Sequence, residues 1–195
     1  MVSATVAFEV NAERERQANR QEPFSLDAFM HNPPDHMEWV DGQLVEKAAV
    51  SLEHSEIILN LGSQWRSYAL SSNAGGKVYV DVPCKTAKQG RRPDVAYITA
   101  DLLKQYGKVV VLPQSFPLVA EVVSPTDAAE MIFAKAQEYL DSGCEEVWLI
   151  FPENRYIFVI THSQRLWFAA GETIQTQIVL PGFSVAVAAL LVGDE

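Results

Sequence analysis

Two apolar segments with a helical segment between them most constrain how this chain folds. Residues 117–123 (PLVAEVV) are apolar at nearly every position except Glu121, and 146–151 (EVWLIF) have much the same character. Such runs suit strands buried on both faces, because a strand with one wet face alternates apolar and polar residues. Between them, 126–142 offers Met131, Ile132, Ala134, Tyr139 and Leu140 as the apolar surface of a helix, with Gly143 as its stop. Strand, helix and strand in that order predict a βαβ unit with a right-handed crossover. Pro125 would end the first strand, and Thr126 or Ser124 would cap the helix.

The rest of the chain adds elements to this unit. Ser25 is a candidate N-cap for a short helix at 25–30. Two short runs around Asp41-Gly42, within 37–46, carry a strong hairpin signal. Ser51 opens a helix over 52–71, with Glu53 and Glu56 in its first turn and Ile57, Ile58, Leu61, Trp65, Tyr68 and Ala69 on one face. Strands are expected at 77–83 and 94–99. After the βαβ unit, 155–161, 165–170 and 174–180 read as a meander, followed by a short apolar element after Pro181-Gly182-Phe183. Trp39, Trp65, Trp148 and Trp167 fall on amphipathic or strand patterns and are expected to pack in the core. The expected class is α/β (or α+β): a mixed sheet with two main helices, an added N-terminal hairpin and C-terminal strands. Residues 1–22 read as a polar arm and 23–195 as one domain.

Composition narrows the function. With 48% hydrophobic and 21% charged residues, the chain is of ordinary globular type, and no apolar run is long enough to span a bilayer. The start lacks the pattern of a signal peptide, so a soluble, cytoplasmic protein without membrane partners is expected. Cys84 and Cys144 are too few for a disulfide framework or a Cys-based zinc site. A net charge of −10 opposes general nucleic-acid binding. Lys85, Lys88, Arg91 and Arg92 are nevertheless close together, and read either as a local positive patch or as a solvated loop.

Two acidic residues stand out. Asp94 follows Arg91-Arg92-Pro93 at the mouth of a strand, and Glu121 interrupts an apolar one. A carboxylate in a buried strand is costly unless paired or metal-bound. Glu121 therefore either makes a salt bridge, with Lys135 or an Arg, or belongs to a hard-oxygen site for Mg²⁺ or Mn²⁺ with Asp94. No G-x-S-x-G elbow and no phosphate-binding G-x-x-x-x-G-K-[ST] loop occurs, and neither cysteine has the context of a nucleophile.

An ordered set of motifs carries a family resemblance. It runs from Glu38 and Val40-Asp41-Gly42-Gln43-Leu44-Val45-Glu46 through Glu53-His54, Arg92-Pro93-Asp94-Val95-Ala96-Tyr97 and Glu121-Val122-Val123-Ser124-Pro125-Thr126. It continues with Lys135, Tyr139, Gly143 and Glu146-Val147-Trp148-Leu149-Ile150. The chain resembles the Uma-type restriction endonuclease family of the PD-(D/E)XK nuclease superfamily from about residue 23 to the Pro181-Gly182-Phe183 ending. The resemblance implies a restriction-endonuclease-like core. It also implies that Pro93-Asp94 is the PD element and Glu121 the acidic residue of the (D/E)XK element. Val123 stands where the superfamily places lysine, and Lys135 matches the lysine this family carries downstream. Gln137 and Glu138 are weaker candidates on the same helix.

The expected activity is metal-dependent hydrolysis of DNA phosphodiester bonds. Asp94 and Glu121 would hold Mg²⁺ or Mn²⁺, Lys135 would position or activate water, and His54 and Glu38 would support the metal or phosphate. Glu46 also matches a family position but suits the surface. Lys85, Lys88, Arg91 and Arg92 would guide the DNA backbone. A homodimer would cut both strands of a duplex. The alternative is a catalytically inactive nuclease-fold module for nucleic-acid binding or dimerisation, motivated by Val123 and by the acidic charge. A third option is hydrolysis of another phosphoester.

Overall fold

The computed structural model describes residues 24–48 and 51–191. The polar arm expected over 1–22 lies outside the described residues. Helix α1 (Leu26–His31) begins at Ser25, whose hydroxyl accepts from the Ala28 N–H. The hairpin β1 (Met37–Val40) and β2 (Gln43–Glu46) turns at Asp41 and Gly42, both with positive φ, as a two-residue primed turn requires. Helix α2 spans Leu52–Ser71, with Ser51 accepting from the His54 N–H. Then come β3 (Lys77–Val80), β4 (Cys84–Lys85), β5 (Gly90–Arg91), β6 (Val95–Ile98), α3 (Ala100–Tyr106), β7 (Leu118–Val122), α4 (Ala129–Leu140) and β8 (Glu146–Phe151). The chain closes with β9 (Tyr156–Thr161), β10 (Arg165–Ala169), β11 (Thr173–Gln175), β12 (Ser184–Ala186) and a 3₁₀ turn at Val187–Ala189.

The main sheet has the order β10-β9-β8-β7-β6-β3. Strands β7 and β8 are parallel around α4, as the expected βαβ unit requires, and the other neighbours are antiparallel. A smaller sheet, β2-β1-β5-β4, stands beside it. Gly90 faces Trp39 across that sheet, and a side chain there would collide with the Phe29 ring at 2.5 Å. The glycine thus lets α1 close over the strand that leads into Arg91 and Arg92.

Alternation along the central strands divides the core in two. Val95 and Tyr97, Leu118 and Ala120, and Trp148 and Ile150 pack with Ile57, Leu61 and Trp65 of α2. The intervening Ala96, Ile98, Val119, Val147 and Leu149 pack with Ala136, Tyr139 and Leu140 of α4. Burying each large apolar side chain contributes on the order of 2 kcal/mol. Trp65 and Trp148 meet edge to face, with centroids 5.5 Å apart.

Several elements differ from expectation for identifiable reasons. Helix α4 starts at Ala129 without a side-chain cap, because Asp127 instead accepts from the Ser124 N–H and closes a turn ahead of it. Met131 is exposed, so the apolar face of α4 is carried by Ala136, Tyr139 and Leu140. The strand expected at 174–180 stops at Gln175, since the buried Glu146 carboxylate takes the N–H groups of Gln177 and Ile178. Strand β3 ends at Val80, where Asp81 turns to a φ of 47°. Trp167 is exposed rather than in the core. Helix α3, capped by Thr99, and the short pair β4–β5 had no counterpart in the sequence reading. Among the described residues, no helix is long and apolar enough to cross a membrane.

Candidate active site

Asp94 and Glu121 come together through strand register. Val95 faces Ala120 in the antiparallel pair of β6 and β7, so one further step sets Asp94 opposite Glu121. Both then point to the α4 side of the sheet, by the same alternation that sends Ala96 and Val119 there. They are 4% and 6% exposed. Together with Glu38, His54 and Lys135 they line a cleft of about 190 Å³, which Glu46, Lys47 and Asp127 also border.

Each acidic group has its own partners. Asp94 Oδ1 lies 2.8 Å from Lys47 Nζ, and Oδ2 accepts from the Val122 N–H at 2.8 Å. His54 Nε2 is buried 3.5 Å from the same Oδ2 and makes no hydrogen bond. Lys135 Nζ lies 2.9 Å from both Glu121 Oε1 and Glu38 Oε1. The Tyr139 hydroxyl donates to Glu121 Oε1 at 2.6 Å. Glu38 also accepts from the Arg92 N–H and pairs with Arg91.

These contacts set the charges. Burial raises the Asp94 carboxyl, but the His54 imidazole, the Lys47 ammonium and the Val122 N–H outweigh it and hold it well below the usual carboxylate range. Burial likewise raises Glu38, and Lys135 and Arg91 more than reverse that. For Glu121, burial prevails and pushes the carboxyl up: Lys135 opposes the rise, while Asp94 adds to it. Burial lowers Lys135, yet Glu121, Glu38 and Asp94 together keep it above an ordinary lysine. The result is a buried ammonium between two carboxylates, a group that stays protonated and donates hydrogen bonds.

The expected basic patch is divided. Arg91 turns inward, with its guanidinium on Glu38 and on both oxygens of Glu138. Arg92 is buried and donates to the carbonyls of Met37, Asp81 and Pro34, tying the hairpin to the main sheet. A guanidinium already bonded inside the protein is not available to a phosphate. Lys85 is half-buried, and Lys88 is exposed. Cys84 and Cys144 are buried free thiols, and burial raises both, Cys144 to about 12, which removes them as nucleophiles at neutral pH.

Two residues of the cluster had been given no role in the chemistry. Tyr139 enters the sequence reading as an apolar helix residue and as part of the family motif set, although its spacing from Lys135 puts both on one face of α4. Lys47 carries no spacing signal at all. It follows β2 and reaches Asp94 because its own N–H bonds to the His36 carbonyl and extends the hairpin.

Among the described residues, no three His, Cys, Asp or Glu side chains converge into a closed metal centre. Mg²⁺, however, is commonly held by one or two carboxylates, with water and substrate oxygens completing the shell. Glu121 Oε2 pairs with no described residue, which leaves a carboxylate oxygen free for a cation. The donor chemistry fits a hydrated Mg²⁺ or Mn²⁺ and not a closed zinc site.

The architecture recurs in a solved structure. A protein from Anabaena variabilis ATCC 29413, described as "a putative nuclease belonging to DUF820", superposes with a TM-score of 0.75 at 17% identity, over 86% of this chain and 97% of that one. This chain thus shares the α/β fold of that protein. The sequence matches the Uma2 family, described as "Putative restriction endonuclease", over residues 21–188, and the chain belongs to that family. No match is found among the curated proteins.

Proposed function

We propose that this chain is a metal-dependent nuclease that hydrolyses phosphodiester bonds of DNA. The observation that carries the reading is the meeting of Asp94, Glu121 and Lys135 around one cleft. Family membership supports it independently. Asp94 and Glu121 would hold Mg²⁺ or Mn²⁺, which when bound neutralises phosphate charge and lowers the pKa of a coordinated water.

The chain's own residues account for the remaining chemistry. Lys135, fixed between Glu121 and Glu38, would present its remaining N–H to the attacking water and positive charge to the phosphate. The ammonium does not have to come from position 123, where Val123 is buried in the core. Arg91 and the Arg92 N–H hold Glu38, and Glu38 in turn holds Lys135. His54 Nε2 lies buried 3.5 Å from Asp94 Oδ2 without a hydrogen-bond partner, and would support the carboxylate that holds the metal. Lys85 and Lys88 would touch the DNA backbone, and two copies would cut both strands.

The test is nicking of supercoiled plasmid by the purified protein with Mg²⁺ or Mn²⁺. Cleavage should require the metal and disappear in Asp94→Asn and Glu121→Gln. Cleavage that persists in both variants rejects the assignment. A folded chain that neither cleaves DNA nor binds a divalent ion indicates an inactive binding module.

A further inference from the structure

The ammonium of Lys47 sits in an oxygen cage. Its three N–H donors meet Asp94 Oδ1 at 2.8 Å, the Arg92 carbonyl at 2.8 Å and Asp81 Oδ1 at 3.2 Å. Two carboxylates and a backbone carbonyl are the donor set that hard divalent cations take. The cage does not rely on Lys47 for its walls. The Asp81 N–H bonds to the Asp94 carbonyl at 3.2 Å, and the other oxygen of Asp81 faces His36 and Arg92. Arg92 and Asp94 are fixed on either side of Pro93, and Asp94 is anchored besides by Val122 and approached by His54.

We propose that Lys47 is a resident cation filling a site that would otherwise bind a divalent ion, so that this centre takes one metal ion per chain and not two. The inference extends the nuclease reading above, because the single ion would be the one held by Asp94 and Glu121. The lysine side chain is 18% exposed, so water screens it little. All three of its donor positions are taken by oxygens, two of them carboxylate, which is the arrangement that suits an ammonium. A lysine in this position holds the Asp94 carboxylate in place even when no metal is bound. A second metal ion would have to displace it from three oxygens at once.

The experiment counts ions. Mn²⁺ alone is titrated into the full chain, with bound ion followed by calorimetry and by the spin-resonance signal of free Mn²⁺. Wild type should bind no more than one ion, and Lys47→Met one more than wild type. Lys47→Met combined with Asp81→Asn should return to the wild-type count. Two ions in the wild-type centre, or an unchanged count and affinity in Lys47→Met, would overturn the proposal. If wild type binds none and Lys47→Met binds one, the cage is supported and the metal-dependent reading fails. If both bind one with equal affinity, that reading survives and the cage does not. A Lys47→Met chain that folds only with Mn²⁺ supports the cage; one that stays unfolded at saturating Mn²⁺ counts against it.

Discussion

Tyr139 stands one helical turn after Lys135, and the two side chains reach the same atom, Glu121 Oε1, at 2.6 Å and 2.9 Å. One face of α4 thus supplies both a neutral and a charged donor to a carboxylate that the sheet has taken out of water. Tyr139→Phe keeps the ring in the core and removes only the hydroxyl. Unfolding in urea should show a loss of about 1.5–3 kcal/mol, the usual range for a hydrogen bond to a charged group. A midpoint equal to wild type would mean that this hydroxyl does not support Glu121.

Lys135→Met should be more severe. It leaves Glu38 and Glu121 facing each other, both buried, with their shared cation gone. Removing one partner of a buried pair costs roughly 3–5 kcal/mol. Glu38→Gln in the Lys135→Met background should recover part of this by relieving the repulsion. No recovery would count against the shared-cation arrangement.

The acid side of the stability profile should depend on Asp94. Its folded pKa is depressed, so its contribution is fully present above the unfolded value of about 4 and is lost as pH falls toward the folded one. Asp94→Asn should flatten the dependence of the urea midpoint on pH below about 4. Glu121 has the opposite sign: its raised carboxyl favours the folded state at low pH and loses that advantage as pH rises. Glu121→Gln should therefore steepen the acid loss. Parallel profiles for wild type and Asp94→Asn would contradict the depressed carboxyl.

Arg91 and Lys88 should behave differently toward DNA. Arg91 is spent on Glu38 and Glu138, so Arg91→Lys loses the bidentate geometry and lowers stability. The salt dependence of DNA binding should be unchanged in that variant. Exposed Lys88 would contribute through its charge, and Lys88→Ala should then reduce the log–log salt slope by about 1. The reverse pattern would put Arg91, and not Lys88, on the DNA.

Much of this fold is legible because its signals are local. Helix α2 shows its buried face at Ile57, Leu61, Trp65 and Ala69, four residues apart, and its start at Ser51. The Asp41-Gly42 turn follows from the positive φ that such a turn needs. The parallel pair β7–β8 follows from apolar runs that only a doubly covered strand can bury. The misread parts hang on which partner answers a given polar group, a distant one in β11 and a near one in α4. The end of β11 depends on Glu146, which lies far off in sequence, and the unexpected start of α4 depends on which side chain answers the Ser124 N–H.

The candidate site divides in the same way. The sequence by itself determined that Asp94 and Glu121 were out of place on purely structural grounds, because a charged group in or beside an apolar strand needs a partner, whereas Lys135 stood out only through the family resemblance. Only the tertiary structure decided which partners they have. It took Arg91 and Arg92 out of the expected patch and turned them inward, and it brought Lys47 from the hairpin to Asp94. The physical reason is that burial is read from a residue's own neighbourhood, whereas a salt bridge depends on how separate strands and a helix stack, and chain spacing does not encode that distance.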